Sequence, residues 1–593
     1  MTDAYTQAMW SFACNQLQAL SQTRMRVVLV SALSLCSTVL SPSLVDSYIA
    51  IEAPIAKAGI LANIGPNGAY ASAAAPGVVI ASPSTHDPDY LYTWVRDASL
   101  VFKLLIDQYT TGQDPNLGQH IQDFIQSQTK LQQVSNPSGS VSTGGLGEPK
   151  FQVNETDFTG SWGRPQRDGP ALRSTALITY ANWSLNKTGA SNVLKTLWPI
   201  IKLDLDYVAA NWNQTGFDLW EEVDSSSFFT TAVQHRALRQ GAALAAALGQ
   251  DASTYAAQAD NAFCFLQSYW NGHYMTANTG GDRSGIDSNT VLASIHTFDP
   301  AAGCDANTFQ PCSDKALSNL KVYLDAFRSL YRTAPDATVP TGRYPEDEYM
   351  TAIGGTANPW YLCTAAVAEQ LYGALIVWKK QSSLEVTDTS LAFFQQFDDS
   401  VKVGNYTTAD ETYGQLVGAI RLFAEDTLAV HANYTPANGA LSEQFNRTTG
   451  AGVSAANLTW SYAAVLTAFS ARAGNAPESW GAAGLKVPRV CKLQSGPMSS
   501  VTFTVNAETT FGESIYLTGS VVALEVWNPT TALPMSAADY PIWTLTVQVP
   551  ASTDIQYKYI RKFGSSVIWE SDPNNQFTSP AGGETVTLED SWR

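Results

Sequence analysis

From about residue 50 to about residue 475, apolar positions recur at i, i+3 and i+4 with polar positions between them. The stretches "ALRSTALITYANWSL", "VQHRALRQGAALAAALG", "ALSNLKVYLDAFRSLY", "YLCTAAVAEQLYGALIVWKKQ" and "LTWSYAAVLTAFSARAG" all carry this helical period. Several are apolar nearly all round, which suits helices packed between other helices. Loops rich in Gly, Pro, Ser and Asp separate them. The pattern holds no strand–helix–strand alternation and no Gly-rich phosphate loop, so an all-α barrel or toroid is expected. The period then changes. Residues 481–498 read as a short linker of Gly, Pro and Ser. After it, "SVTFTVNAETT", "ESIYLTGSV", "IWTLTVQVP", "IQYKYIRKF" and "ETVTLEDSW" alternate with period two and are rich in Val, Thr, Tyr and Ile. Short strands of this kind over 499–593 predict a small all-β sandwich. Two domains follow, a helical one at 45–480 and a β-domain at 499–593.

Composition narrows the ligand. With 45% hydrophobic and only 15% charged residues the chain is globular. A net charge of −18 without Lys/Arg clusters argues against nucleic acid. Few charges together with 16 Trp and 25 Tyr suit a neutral ligand such as a sugar, whose C–H faces lie on aromatic rings. The stretch "MRVVLVSALSLCSTVL" has Met25 and Arg26 ahead of an apolar run of signal-peptide length, too short for a stable membrane anchor. Residues 25–44 are therefore expected to be a cleaved signal peptide and residues 1–24 an extension ahead of the true start. The mature protein is expected to be secreted, extracellular and free of membrane.

Asn-X-Ser/Thr sequons at Asn154, Asn182, Asn186, Asn213, Asn405, Asn433, Asn446 and Asn457 fit a glycosylated secreted protein. Of seven Cys, Cys14 and Cys36 fall in or before the leader. Cys264, Cys304, Cys312, Cys363 and Cys491 remain, an odd set with at least one free thiol or intermolecular bond. Cys304 and Cys312 are close enough to clip a loop. No pair has metal-ligand spacing and there are only six His, so neither a metal nor a cofactor is expected.

The chemistry sits in loops beside the helices. "HDPDYLYTWVRDASL" gathers Tyr90, Tyr92, Trp94, Arg96 and Asp97. "GSWGRPQRDGPALR" carries Trp162, Arg164, Gln166, Arg167 and Asp168, with Pro170 opening a helix. "FDLWEEVDSSSFF" carries Asp218, Trp220, Glu221 and Glu222. "GRYPEDEY" adds Arg343, Glu346 and Asp347, and "GALSEQFNRTTG" adds Glu443 and Gln444. Each cluster alone is more often structural; five in one domain point to a site. Splitting a glycosidic bond needs two carboxyls, one protonated and one ionised; with water between sugar and base they stand about 6.5–9.5 Å apart and the product is inverted. The acid needs a raised pKa, for which an aromatic neighbour such as Trp220 makes Glu221 a candidate.

These motifs closely resemble the fungal glucoamylases, glycoside hydrolase family 15. "ASPSTHDPDYLYTWVRD", "GEPKF", "TGSWGRPQRDGPALR", "FDLWEEV", "SSFFTTAVQHRAL", "SIHTFDP", "TFQPCS", "GRYPED", "NPWYLCT" and "LTWSYAA" occur in that family's order over roughly 45–480. The tail "SIYLTGSV…VW…IQYKYIRK…VIWESDPN…SWR" resembles the starch-binding domain, carbohydrate-binding module family 20. The resemblance implies an (α/α)6 barrel with a pocket formed by loops at one end. It also implies release of glucose from non-reducing ends of α-1,4-glucans, more slowly α-1,6, with inversion. Glu221 would be the general acid, Glu443 the general base and Glu222 a substrate-binding residue near the cut. Arg96 and Asp97 would hold the terminal glucose, Tyr90 would lie near the oxocarbenium charge, and Trp94 and Trp162 would support acid and sugar. Arg343 would bind hydroxyls near the scissile bond and Trp460 would line the pocket, with Gln166, Asp218 and Trp220 in support. Disulfides Cys304–Cys312 and Cys264–Cys491 are implied, leaving Cys363 free. In the β-domain, Trp527 and Trp569 with Lys558 and Asn574 would form one starch site, and Tyr516 and Tyr540 would belong to another. The partners implied are starch and α-1,4/α-1,6-glucan chains, and the family habit implies a monomer.

The sequence also departs from the family. Glu525, Val526 and Trp527 stand where relatives read Gly-Asp-Trp. The connection "EYMTAIGGTANPW" after Asp347 is longer than usual, and "SAANLTW" replaces "SARDLTW". Two rival functions fit less of the chain: a family 15 hydrolase of another α-glucoside, and a starch-binding protein on an inactive barrel.

Overall fold

A computed structural model describes residues 43–351, 355–488, 498–564 and 566–593. The expected extension 1–24, the leader up to residue 42, Cys491 and the second half of the expected linker lie outside the described residues. The helical part holds fourteen helices among these residues. They are α1 (Leu44–Ala62), α2 (Val95–Thr110), α3 (Gly118–Leu131), α4 (Asp168–Thr188), α5 (Ala190–Thr196), α6 (Trp198–Asn211) and α7 (Phe228–Ala247). Then come α8 (Ser253–Leu266), α9 (Ser288–His296), α10 (Asp314–Tyr331), α11 (Tyr361–Gln381), α12 (Leu391–Gln395), α13 (Glu411–Tyr434) and α14 (Thr459–Arg472).

Their burial separates two layers. In α4, α7, α9, α11 and α14 most residues on every side are buried. In α3, α10 and α13 burial is confined to one stripe. Six helices pack in a closed ring: α2 on α4, α4 on α7, α7 on α9, α9 on α11, α11 on α14, and α14 back on α2. An outer helix follows or precedes each along the chain, so the expected (α/α)6 barrel is what forms. The all-round apolar patterns belong to the inner ring because that ring touches protein on both sides. Helix α11 is long and apolar enough to cross a membrane, yet it is a buried core helix of this ring. Close approach needs small residues: a Cβ on Gly241 of α7 would lie 2.4 Å from Leu205 of α6. A buried fork joins the layers, with Arg173 of α4 donating to both oxygens of Asp204 on α6 at 2.8 and 2.6 Å. Removing one partner of such a pair costs about 3–5 kcal/mol, because it strands a buried charge.

After α14 the chain stays attached to the barrel. One oxygen of Asp299 accepts from the backbone N–H groups of Trp480, Gly481 and Ala482 at 3.1, 3.1 and 2.9 Å. The start of the expected linker is thus held in place. Cys304 and Cys312 are bonded, Cys264 is disulfide-bonded, and Cys363 is a buried free thiol.

The β-domain is a sandwich, as its period-two pattern predicts. One sheet orders Leu533–Pro534, Ser514–Gly519, Asp554–Phe563 and Ser566–Trp569, with Asn575–Thr578 also pairing Asp554–Phe563. The other orders Ser536–Asp539, Ile542–Pro550, Met498–Asn506 and Thr585–Ser591, the last pair parallel. Val501, Phe503, Val505, Ile515, Leu517, Tyr557 and Tyr559 fill the core.

Candidate active site

The predicted barrel residues lie in the first turns of the inner helices, as Arg96, Asp97 and Trp460 do, or on the loops that lead into those helices. They line one cavity of about 620 Å³, the size of a small-ligand pocket. Tyr90, Trp94, Arg96, Asp97, Trp162, Trp220, Glu221, Glu222, Arg343, Glu443 and Trp460 all reach it. Gln166 and Asp218 stand behind it.

Glu221 is presented by a tight reversal. Its N–H donates to the Asp218 carbonyl at 2.9 Å, and the Asp218 N–H donates to the Val223 carbonyl at 3.0 Å. The Asp218 carboxylate accepts from the N–H groups of Glu222 and Val223 at 3.1 and 3.3 Å. Glu221 has φ +67°, the left-handed region, which costs a non-glycine residue about 1–3 kcal/mol. The surrounding bonds hold it there. Its Oε1 accepts from Trp94 Nε1 at 2.7 Å, Gln166 Nε2 at 2.9 Å and Arg96 Nη2 at 3.3 Å. Among the described residues Oε2 receives no donor, so a proton on this carboxyl belongs on Oε2. Arg96 is fixed in turn by Gln166 at 2.8 Å and Asp168 at 3.1 Å. Burial pushes Asp97 up to about 6, against the pull of Arg96.

Trp220 does not provide the apolar surroundings expected for Glu221. Its indole N–H donates to Asp287 at 2.8 Å, and its ring stacks on Trp460 at 6.2 Å and tilts against Trp360 at 5.5 Å. Adjacent side chains in a tight turn point apart, so Trp94, not Trp220, meets the Glu221 carboxyl. Glu222 takes the other direction. It accepts from Tyr344 at 2.5 Å, pairs with Arg343 at 3.0 Å and bonds Arg283. Burial raises its pKa, but Arg343, Tyr344 and Arg283 together outweigh that and hold it below the usual value. Asp347 grips Arg343 through two bonds of 2.8 and 2.7 Å.

Glu443 arrives on a different loop. Strand Gln444–Phe445 pairs with Gly452–Val453, and the returning chain brings the Ser454 hydroxyl to Glu443 Oε2. Ser454 is itself left-handed at φ +64°. Burial pushes Glu443 up to about 7; the Ser454 hydroxyl, Arg343 and the Tyr90 hydroxyl pull against it. Tyr90 shares a 3.0 Å bond with Tyr349.

Sequence reasoning missed Tyr349, Trp360, Ser454 and Lys150. Tyr349 comes from the longer connection, of which residues 352–354 lie outside the described ones. The Gly450–Gly452 turn was the one sign that Ser454 would fold back. In the β-domain, Trp569 is 39% exposed and Lys558 pairs with Asp572 at 2.8 Å. Asn574 donates to Gln556 at 2.9 Å, and Trp527 is half-buried at φ +60°. Tyr516 stands half-buried in one sheet with the Lys562 ammonium 4.4 Å over its ring. Tyr540 lies in the turn between Ser536–Asp539 and Ile542–Pro550 of the other sheet, where its hydroxyl accepts from the Thr509 N–H at 3.1 Å, two residues from the fully exposed Phe511. Of the sequons, Asn213 is buried and Asn457 accepts from the Tyr462 hydroxyl at 2.7 Å.

The family model for glycosyl hydrolases family 15 matches residues 54–470, the part that forms the barrel and carries both carboxyls. The chain belongs to glycosyl hydrolases family 15. The model for the starch binding domain matches residues 498–589. The chain is 57% identical to Glucoamylase-1 of Schizophyllum commune over 95% of its own length and 99% of that protein's. It is 46% identical to a glucoamylase of Neurospora crassa, over 93% and 94%. The solved family 15 glucoamylase of Hypocrea jecorina superposes with a TM-score of 0.72 at 46% identity, covering 93% of this chain and all of that one.

Proposed function

We propose that this cavity removes single glucose units from the non-reducing ends of α-glucan chains with inversion, Glu221 acting as general acid and Glu443 as general base. The underlying activity is that of a glucan 1,4-α-glucosidase, the reaction of the family 15 glucoamylases this chain matches over nearly its full length. The observation that carries the reading is that two carboxyls from separate loops line one cavity and have different partners.

In this mechanism Arg96 and Asp97 hold the hydroxyls of the terminal glucose. Glu221 gives the proton on Oε2 to the glycosidic oxygen while its Oε1 stays bound to Trp94, Gln166 and Arg96. Those donors stabilise the carboxylate left behind. Glu443, oriented by Ser454 and Tyr90, takes a proton from the attacking water. Glu222 and Arg343 bind the glucose beyond the cut, and Trp220 and Trp460 form the floor. The starch-binding domain brings the barrel to insoluble α-1,4 and α-1,6 chains. We infer one site at Trp527 and Trp569 and a second at Tyr540, which Phe511 extends; Tyr516 remains a proposed member of the second. Secretion is supported by the apolar leader, the disulfides and the exposed sequons. The same reading takes 45–480 as catalytic domain and the enzyme as a monomer.

The test is proton NMR of the sugar released from maltotriose in the first minutes of reaction. Fresh β-glucose is expected. Fresh α-glucose would remove the inverting assignment.

A further inference from the structure

Glu222 lines the main cavity, whereas two of the residues that hold it, Arg283 and Tyr344, line a second cavity of about 110 Å³. Three groups reach the Glu222 carboxylate. Arg343 meets Oε1 at 3.0 Å, but Asp347 already balances its charge through two bonds. Arg283 and the Tyr344 hydroxyl both donate to Oε2. The Arg283 guanidinium lies 3.7 Å from the Tyr344 ring, and among the described residues Glu222 is its one ion-pair partner. Arg283 stands on a loop closed by two bonds. The Ala277 N–H donates to the Gly285 carbonyl at 3.0 Å, and the Tyr274 hydroxyl donates to the Ser284 carbonyl at 2.9 Å.

The other nitrogen of the guanidinium is less well served. Arg283 Nη1 and Asn278 Oδ1 are buried and have no hydrogen-bond partner among the described residues, and both residues line the second cavity. Asp287 lines it too, 2% exposed, with its Oδ1 bonded to Trp220. Burial raises Asp218 and Asp287, the latter to about 7, and Arg283 pulls against burial in both. A buried donor and a buried acceptor left unpaired are costly. A polar cavity of this size has room for several waters, which need about 10–15 Å³ and a few polar partners each. Water between Arg283 and Asn278 satisfies both atoms without adding a charge.

We propose that Arg283 is a positioning residue for Glu222: one nitrogen grips the carboxylate, water in the second cavity holds the other, and this grip sets the affinity for the glucose unit beyond the cut. This rests on the reading of Glu222 as a residue that binds that unit. Oε2 is committed to Arg283 and Tyr344, which leaves Oε1, shared with Arg343, for a sugar hydroxyl. A planar guanidinium suits the task, because it stacks on the Tyr344 ring while its two nitrogens serve two different partners. Arg283 touches no sugar itself, so its whole effect passes through Glu222.

The test compares two substrates of the full-length enzyme. Maltose places a glucose unit beyond the cut, and α-glucosyl fluoride has none. The readout is the ratio of kcat/KM on maltose to kcat/KM on the fluoride, for wild type, Glu222→Gln, Arg283→Met and the double variant. Arg283→Met should lower that ratio by about 10-fold, the weight of a hydrogen bond to a charged group. A merely structural loss lowers both substrates and leaves the ratio where it was. Glu222→Gln should lower the ratio at least as far, and adding Arg283→Met to it should change the ratio by no more than about twofold. Arg283→Lys keeps the charge and loses the fork, so it should fall between wild type and Arg283→Met, and it carries the same cycle where Arg283→Met does not fold. An unchanged ratio in the Arg283 variants, or an undiminished drop on top of Glu222→Gln, overturns the proposal alone. An unchanged ratio in Glu222→Gln removes the reading of Glu222 and the proposal with it.

Discussion

Glu221 and Glu443 line the same cavity, but the protein has built opposite surroundings for them. Glu221 stands on a strained turn and is 18% exposed at its side chain, and three N–H donors converge on one of its oxygens. Glu443 is 3% exposed, and hydroxyl groups, not N–H groups, attend it. A carboxyl held by N–H donors on one oxygen has a fixed direction for the proton on the other. One held by hydroxyls in a buried site is oriented and slow to ionise, so its neighbours control where it titrates. The division of labour is therefore written in the partners of each carboxyl and not in the carboxyls themselves.

The sharpest way to break this comparison is to remove either charge. Glu221→Gln and Glu443→Gln should each lower kcat on maltose by about 10³- to 10⁴-fold, the upper range for a lost acid or base, in steady-state assays with Tm unchanged within a few degrees. A smaller effect follows from the donors. Trp94→Phe keeps the ring and removes the 2.7 Å N–H bond to Glu221, and should lower kcat by about 10-fold as one charged hydrogen bond is lost. Ser454→Ala tests the other carboxyl through pH. The Ser454 hydroxyl favours the ionised form of Glu443, so its loss raises that pKa further above the ordinary carboxyl value. A base acts only when ionised, so the acid limb of the kcat/KM profile should move to higher pH, by up to about one unit. The smallest expected effect on the chemistry is outside the barrel. Phe511→Ala combined with Tyr540→Ala should leave maltose hydrolysis within about twofold while adsorption to starch granules falls, since the contact of sugar C–H faces with the two rings is lost.

Much of the barrel was legible because helix period and all-round apolarity report which helices touch protein on both sides. The loops were legible as clusters of Trp, Arg and carboxylate. What the sequence hid is which partner each side chain meets. Trp94 and Glu221 are 127 residues apart, and no local pattern pairs them. Trp220, next to Glu221 in the chain, was a poor guide because a left-handed residue turns its neighbour away toward Asp287. Ser454 returns to Glu443 only through a hairpin, and Lys150 carries no carboxylate that would have marked it as functional. In the β-domain, alternation predicts the strands but not which outer face a ring joins: Tyr516 lies within a strand of one sheet, and Tyr540 lies in the turn between two strands of the other.

One measurement tests the division between the two carboxyls most directly: kcat on α-glucosyl fluoride against kcat on maltose for Glu221→Gln and Glu443→Gln. Fluoride departs without a proton, so a missing acid matters little to it, whereas a missing base disables both substrates. The account predicts that Glu221→Gln recovers most of its loss on the fluoride and that Glu443→Gln does not. Recovery by Glu443→Gln instead, with Glu221→Gln equally impaired on both substrates, would contradict it and exchange the two roles.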